Sequence, residues 1–343
     1  MTASHRTLVL LALLATIVTL AACTGDDDSL DVTGAPTASD TPATPASNPT
    51  GVTPSASSPG CRTSADPALG DSDHVMQSGG LQRTYVLHLP PTYDGATPLP
   101  LILNLHGFGS NGRQQAAYSR FPVLADSEGF IVVSPDGAGS PQQWNIRRDG
   151  NLPDDVAFVR ALLDELESEL CVDGERLFVA GMSNGAAFAQ QLACAMPGRF
   201  AAVGAVTALV YPIACASDLP IAVIGFHGTE DVCVPYYGGA VTCGSARGQV
   251  RPVEDSAQDW ARHNGCNLDP ERARPAEHVR TIAYSECDDE TAVVLFAIEG
   301  GGHTWPGSVA VGRLGATTQE IDATQQIWQF FRGQANLRAT SSR

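Results

Sequence analysis

Short apolar runs punctuate this chain at 82–89, 101–105, 130–134, 176–180, 202–206, 221–226, 279–284 and 292–298, each about the length of a β-strand. Runs such as Leu101 to Leu105, Phe130 to Ser134 and Ile221 to Phe226 lack the polar alternation of a half-exposed strand, so both of their faces are expected to be covered. Helical spacing appears between them. The segment 154–170 opens on Asp154 and Asp155 and carries Val156, Phe158, Val159, Leu162, Leu163, Leu166 and Leu170 on one face, and 184–196, 252–264 and 318–332 have helical composition. This alternation predicts an α/β fold with a mostly parallel central sheet of about eight strands, flanked by helices and joined by right-handed crossovers. In such sheets chemistry collects at the carboxyl ends of the strands.

The ends of the chain read differently. Met1 to Arg6 is short and basic, and the apolar stretch Thr7 to Ala22 is shorter than the ~20 residues of a bilayer span, so residues 1–22 read as an export leader. Its ending, Leu20-Ala21-Ala22-Cys23, resembles the lipobox of bacterial lipoproteins, in which Cys23 would carry the lipid and become the first mature residue. Residues 23–60 are rich in Pro, Thr, Ser and Asp and read as a disordered tether. Residues 61–335 suffice for one catalytic domain, with 336–343 as a flexible tail. The expected location is the outer face of a membrane through the lipid anchor, or the exterior if Cys23 is not lipidated.

Charge and cysteine content narrow the class. A net charge of −17 argues against a nucleic-acid partner, because phosphate binding needs a basic face. Nine cysteines become eight once Cys23 is spent on lipid, and an even number in an exported chain points to disulfides rather than metal ligation. Cys233 with Cys243 and Cys266 with Cys287 are close enough in sequence to form short loops, while the partners of Cys61, Cys171, Cys194 and Cys215 stay open.

Candidate chemistry lies just past the strand ends. Leu177 to Ala180 stops at Gly181-Met182-Ser183-Asn184-Gly185 before helical composition resumes, a strand, sharp turn and helix in which Ser183 would project outward between two small residues. His227-Gly228-Thr229-Glu230-Asp231 follows the run 221–226, and Gly300-Gly301-Gly302-His303 follows 292–298. A serine, an acid and a histidine thus follow successive strands in the order used by α/β-hydrolases. Ser183 is assigned as nucleophile, His303 as general base and then acid, and Asp231, preferred over Glu230, as the group that orients the imidazole. His106 and His227 also end strands but read better as buried rings bonded to nearby backbone. The backbone N–H groups of Asn184, at a helix N-terminus, and of Phe108, after His106-Gly107, are the expected oxyanion donors. Such chemistry calls for no cofactor and no metal.

The segments LNLHGFGS, VVSPDGAG, DDVAFVRALLDEL, CVDGERLFVAGMSNGAAFAQQLAC, GFHGTEDVCVPYYGG and GGGHTWPG together resemble the extracellular esterase family that includes poly(3-hydroxybutyrate) depolymerases and feruloyl or acetylxylan esterases. The resemblance runs from about Arg83 to Trp328. It implies an α/β-hydrolase fold and hydrolysis of small or polysaccharide-linked carboxylic esters by Ser183, Asp231 and His303. It also implies Trp305 and Trp144 as cleft-lining side chains, with simple packing as the alternative for each. Acyl transfer or peptide hydrolysis on the same triad, and a non-catalytic surface binding protein, are the competing readings.

Overall fold

The computed structural model describes residues 57–62, 68–212, 215, 217–243 and 248–341, so the leader, Cys23 and nearly all of the tether lie outside the described residues. In chain order the elements are β1 (Gly70–Ser78), β2 (Leu81–Leu89), β3 (Leu99–Leu105), α1 (Gly112–Ser119), α2 (Phe121–Glu128), β4 (Ile131–Pro135), α3 (Asp155–Glu169), β5 (Val172–Met182), α4 (Asn184–Ala195), β6 (Ala202–Val206), β7 (Ala222–Gly228), β8 (Gly239–Ala240), β9 (Gln249–Val250), α5 (Val253–His263), β10 (Glu271–Ala276), β11 (Val279–Tyr284), β12 (Val293–Ile298) and α6 (Ala323–Ser341).

Ten strands form one sheet in the order β1-β2-β4-β3-β5-β6-β7-β12-β11-β10. The six central strands, from β4 to β12, are parallel, and an antiparallel pair closes each side. The sheet is larger than expected from the apolar runs because its outermost strands do not carry one. β1 (GDSDHVMQS) is mostly exposed or half-buried, and β10 (ERARPA) has no buried residue. Charge on an outer strand blunts edge-to-edge pairing.

The uninterrupted runs have the predicted cause. Along β3, Leu101, Leu103 and Leu105 face a core completed by α3, α4 and α5, whereas Ile102 faces a second core built with α2 and α6. The same split separates Leu177 and Val179 from Phe178 and Ala180 on β5. A fully buried side chain of this kind is worth about 1.5–3 kcal/mol, so both faces anchor the sheet. α1 and α2 were not legible from periodicity, and α6 runs on to Ser341 where a flexible tail was expected from 336. Residues 334–341 include Ala, Leu and Arg and no Gly or Pro, so nothing stops the helix at 335.

Four disulfides join Cys61–Cys171, Cys194–Cys215, Cys233–Cys243 and Cys266–Cys287. The two short loops anticipated from spacing are both present. Such cross-links fit an oxidising compartment.

Candidate active site

The turn between β5 and α4 holds Ser183 at φ 55° and ψ −117°, a combination that only a tightly packed surround sustains. A Cβ on Gly181 would lie 2.6 Å from Gly185 backbone, and one on Gly185 would lie 2.3 Å from Leu105 O. Both glycines are therefore demanded by contact. The backbone N–H of Ser183 donates to Val206 O at 2.8 Å, tying the turn to β6. Unlike an ordinary capping serine, Ser183 makes no side-chain bond to the first turn of α4, which leaves its hydroxyl uncommitted to the helix.

Two further loops, after β7 and β12, meet each other, and Cys233 and Val234 of the first line the same cavity as Ser183. At the end of β7, Asp231 Oδ1 accepts from the N–H groups of Cys233 and Val234 at 2.8 Å each. Past β12, His303 Nδ1 lies 2.9 Å from Asp231 Oδ2 and 3.0 Å from Oδ1. Glycine permits that approach: a Cβ on Gly228 would fall 2.1 Å from Gly301 O, so the acid loop and the histidine loop touch backbone to backbone. Burial pushes the Asp231 carboxyl up, but the hydrogen bonds from His227 and His303 outweigh it and hold the group well below the usual carboxylate range. With Nδ1 on the carboxylate, Nε2 is the ring nitrogen left for other chemistry. Among the described residues, Ser183 Oγ makes no hydrogen bond to that ring.

Phe108, Ser183 and Asn184 line a cavity of about 500 Å³, together with Ala187, Tyr211 and the Cys233–Cys243 bridge. An ideal Cβ on Gly107 would lie 3.5 Å from Ser183 Cβ, so the loop after β3 abuts the corner. The N–H groups of Phe108 and Asn184 donate no backbone hydrogen bond among the described residues. Two unspent donors beside a half-buried hydroxyl that borders the cavity suit a developing oxyanion.

The other strand-end histidines are buried and bonded to nearby backbone. His106 donates from Nδ1 to Gly107 O at 2.7 Å and accepts at Nε2 from Gly137 N at 2.8 Å, and burial pushes its pKa down, so it is neutral with a fixed tautomer. His227 Nε2 lies 2.8 Å from Val234 O.

The expectation for the tryptophans needs correction. Trp144 and Trp305 are each 1 % exposed, and neither borders the cavity. Trp144 stacks on Phe188 at 5.1 Å and donates from Nε1 to His106 O at 2.9 Å. Its backbone N and O clamp the Asn184 side chain at 2.7 and 3.2 Å. Trp305 packs edge-on against Phe121 at 5.9 Å, with Nε1 on Thr324 Oγ1 at 2.9 Å. Each indole thus spends its N–H and its faces on the interior.

One contributor escaped sequence reading. Gln190, fully buried in α4, donates to Ala208 O at 2.7 Å and accepts from Val210 N at 3.0 Å, fixing the cavity wall after β6. The signal available was two adjacent amides, Gln190 and Gln191, inside an otherwise apolar helix.

The chain is similar to known esterases. The family model described as esterase, PHB depolymerase, matches residues 83–248. Feruloyl esterase B of Piromyces equi is 29 % identical over 233 residues, which cover 64 % of this chain and 42 % of that longer protein. Feruloyl esterase C of Emericella nidulans is 30 % identical over 258 residues, covering 73 % and 83 % respectively. Among solved structures, the acetyl xylan esterase from Aspergillus awamori superposes with a TM-score of 0.54 at 16 % identity, covering 76 % of this chain and 99 % of that one, a likeness of fold.

Proposed function

This chain belongs to the PHB depolymerase type of esterases and is a carboxylic ester hydrolase, and from that premise we propose a double-displacement mechanism centred on Ser183, His303 and Asp231. The observation that carries the proposal is the buried His303 Nδ1 to Asp231 pair, 2.9 Å long, past the ends of β12 and β7, in the same sheet whose β5 runs into the strained Ser183 corner.

Neutral serine is a weak nucleophile. His303 Nε2 takes the Ser183 proton as Oγ bonds to the ester carbonyl carbon, and the ionised Asp231 stabilises the imidazolium that results. The carbonyl oxygen becomes an oxyanion facing the N–H groups of Phe108 and Asn184. Collapse breaks the bond to the alkoxy oxygen, which takes the proton from His303 and leaves as the alcohol. Water then gives its proton to His303 and attacks the acyl-enzyme, releasing the acid and restoring Ser183.

The substrates proposed are small or polysaccharide-linked esters such as feruloyl or acetyl esters, in keeping with the feruloyl esterase and acetyl xylan esterase relatives. Delivery to the outer face of a membrane through Cys23 belongs to the same proposal. The test is Ser183→Ala assayed on methyl ferulate, acetylated xylan and 4-nitrophenyl acetate, with a fluorophosphonate probe on the parent protein. Loss of turnover on all three, with labelling at Ser183 alone, is expected; full activity in the variant overturns the assignment.

A further inference from the structure

The four bridges are not equally protected. Cys61, Cys215 and Cys287 are half-buried and their partners Cys171, Cys194 and Cys266 are buried, whereas Cys243 is exposed, alone among the described cysteines. Its partner Cys233 is 1 % exposed. The Cys233–Cys243 closure is also the shortest, at 10 residues of sequence separation, so opening it costs the fold least in the loop-entropy account. A thiolate that attacks the outer sulfur expels Cys233 as the leaving thiolate.

The inner sulfur has a particular company. Ligand atoms of Asp231, Cys233 and His303 all fall within 4.8 Å of one another, and no other such group of three exists among the described residues. Two donors on one tetrahedral zinc ion sit roughly 3.5 Å apart, given bonds of about 2.0–2.3 Å, so small side-chain movements bring the three together. The donor types agree as well: a thiolate, an imidazole and one carboxylate suit Zn²⁺ and not the harder Mg²⁺ or Ca²⁺. Backbone ties the set together, since the Cys233 N–H donates to Asp231 Oδ1 at 2.8 Å, on the carboxylate that His303 Nδ1 meets at 2.9 Å. In the intact bridge the sulfur is no thiolate, which keeps it from this role.

We propose that Asp231, Cys233 and His303 are a latent zinc site kept closed by the Cys233–Cys243 disulfide, and that reduction of the bridge by a dithiol lets Zn²⁺ bind and stop hydrolysis. The loss of activity rests on His303 as the base. A dithiol gives two electrons and two protons to the bridge and is itself oxidised to a disulfide; Zn²⁺ then displaces the Cys233 thiol proton to solvent. Zinc on His303 Nδ1 takes the lone pair of that nitrogen, so the ring proton moves to Nε2, which can no longer accept from Ser183. The esterase is therefore on in an oxidising compartment and off where thiols and Zn²⁺ coexist.

The test uses Cys243→Ser, which frees Cys233 and leaves the other bridges alone, with Cys243→Ala as a second variant, both checked for folding by circular dichroism and Tm. Co²⁺ added to either should give thiolate-to-cobalt charge-transfer absorption in the near ultraviolet, bleached by Zn²⁺. The bridged parent protein and Cys233→Ser with Cys243→Ser should give none. Micromolar Zn²⁺ should lower 4-nitrophenyl acetate turnover by about tenfold or more in Cys243→Ser, with recovery on adding a chelator, and by less than about twofold in the bridged parent. The parent protein, mildly treated with a dithiol and then freed of it, should open this bridge before the others, by alkylation and mass spectrometry, and respond to Zn²⁺ as Cys243→Ser does. Because cobalt absorption needs no turnover, the two readings fail separately: absorption with zinc-insensitive hydrolysis upholds the site and overturns instead His303 as the base. No absorption in either folded variant, absorption that survives the further change His303→Ala, equal zinc sensitivity in the bridged parent, or another bridge opening first overturns the proposal.

Discussion

His227 Nε2 lies 3.3 Å from Asp231 Oδ2, so the carboxylate that faces His303 is shared with a second, fully buried imidazole. His227 Nδ1 is buried without a hydrogen-bond partner among the described residues, and Nε2 faces the acceptor Val234 O. A proton therefore sits on Nε2, which donates to Val234 O and lies within reach of Asp231 Oδ2.

That relationship predicts a shift in pH profile. His227→Phe keeps ring volume and removes the donor. Hydrogen bonding by His227 is one of the causes that lower the Asp231 pKa, so the carboxylate becomes more basic and holds the His303 imidazolium more tightly. The acid limb of kcat/KM should move to higher pH. On the plateau kcat/KM should change by less than about threefold, because the more basic carboxylate offsets its looser anchoring. Steady-state kinetics on 4-nitrophenyl acetate across pH checks both, and a profile that falls in height without shifting would reduce His227 to a packing residue.

Asp231 also makes stability pH-dependent. Its folded pKa is depressed, so its contribution is complete above the unfolded carboxyl value of about 3.9 and is lost as pH falls through the lower folded value. Asp231→Asn removes this ionisation. The Tm advantage of the parent protein over the variant should be flat above about pH 5 and shrink steadily below about pH 4. Calorimetry from pH 2.5 to 7 reads it directly, and an advantage independent of pH would contradict the depressed pKa.

Glycine substitutions at the corner separate contact from strain. In Gly185→Ala the new methyl would meet Leu105 O and His106 O at 2.3 and 2.5 Å, atoms fixed by the end of β3. The expected cost is about 2–4 kcal/mol, with esterase activity falling further because Ser183 is displaced. Gly150→Ala is the control, since nothing lies within 4 Å of its Cβ position, and should stay within about 0.5 kcal/mol. Equal effects in the two variants, by denaturant titration, would refute the packing account.

What the sequence disclosed follows from where each residue is buried. The central strands were legible because cover on both faces leaves Leu177 to Ala180 or Ile221 to Phe226 without polar interruption. β10 was not, because Arg272 and Arg274 face solvent and resemble loop residues. α1 and α2 hid because Arg120, at φ 59°, is the C-cap of one and the N-cap of the other, a left-handed role that nothing in its chemistry announces. Ser183 was conspicuous because the tight turn requires glycine on both sides. Trp144 misled, since an indole beside a strand end packs inward or lines a cleft with the same composition. Cavity walls contributed by 207–212 and by the Cys233–Cys243 loop have no periodicity to read.

The cross-links should divide stability from activity. Cys61–Cys171 spans 110 residues of sequence and joins the short 3₁₀ turn Pro59–Arg62 to the residue before β5, whose opposite end carries Ser183. Cys233–Cys243 spans only 10, but it lines the cavity, and the Cys233 N–H donates to Asp231 Oδ1. In the loop-entropy account, the long closure contributes about 4–5 kcal/mol and the short one about 2.5–3 kcal/mol. Cys61→Ser with Cys171→Ser should therefore lower Tm more while leaving kcat/KM at 25 °C within about twofold. Cys233→Ser with Cys243→Ser should lower Tm less and reduce kcat/KM by tenfold or more, because the Asp231 turn loses its anchor and the oriented carboxylate is worth more to the imidazolium than to the fold. Tm and initial rates measured on both double variants decide the matter: if the two bridges rank in the same order by stability and by activity, the acid turn draws its geometry from elsewhere in the loop.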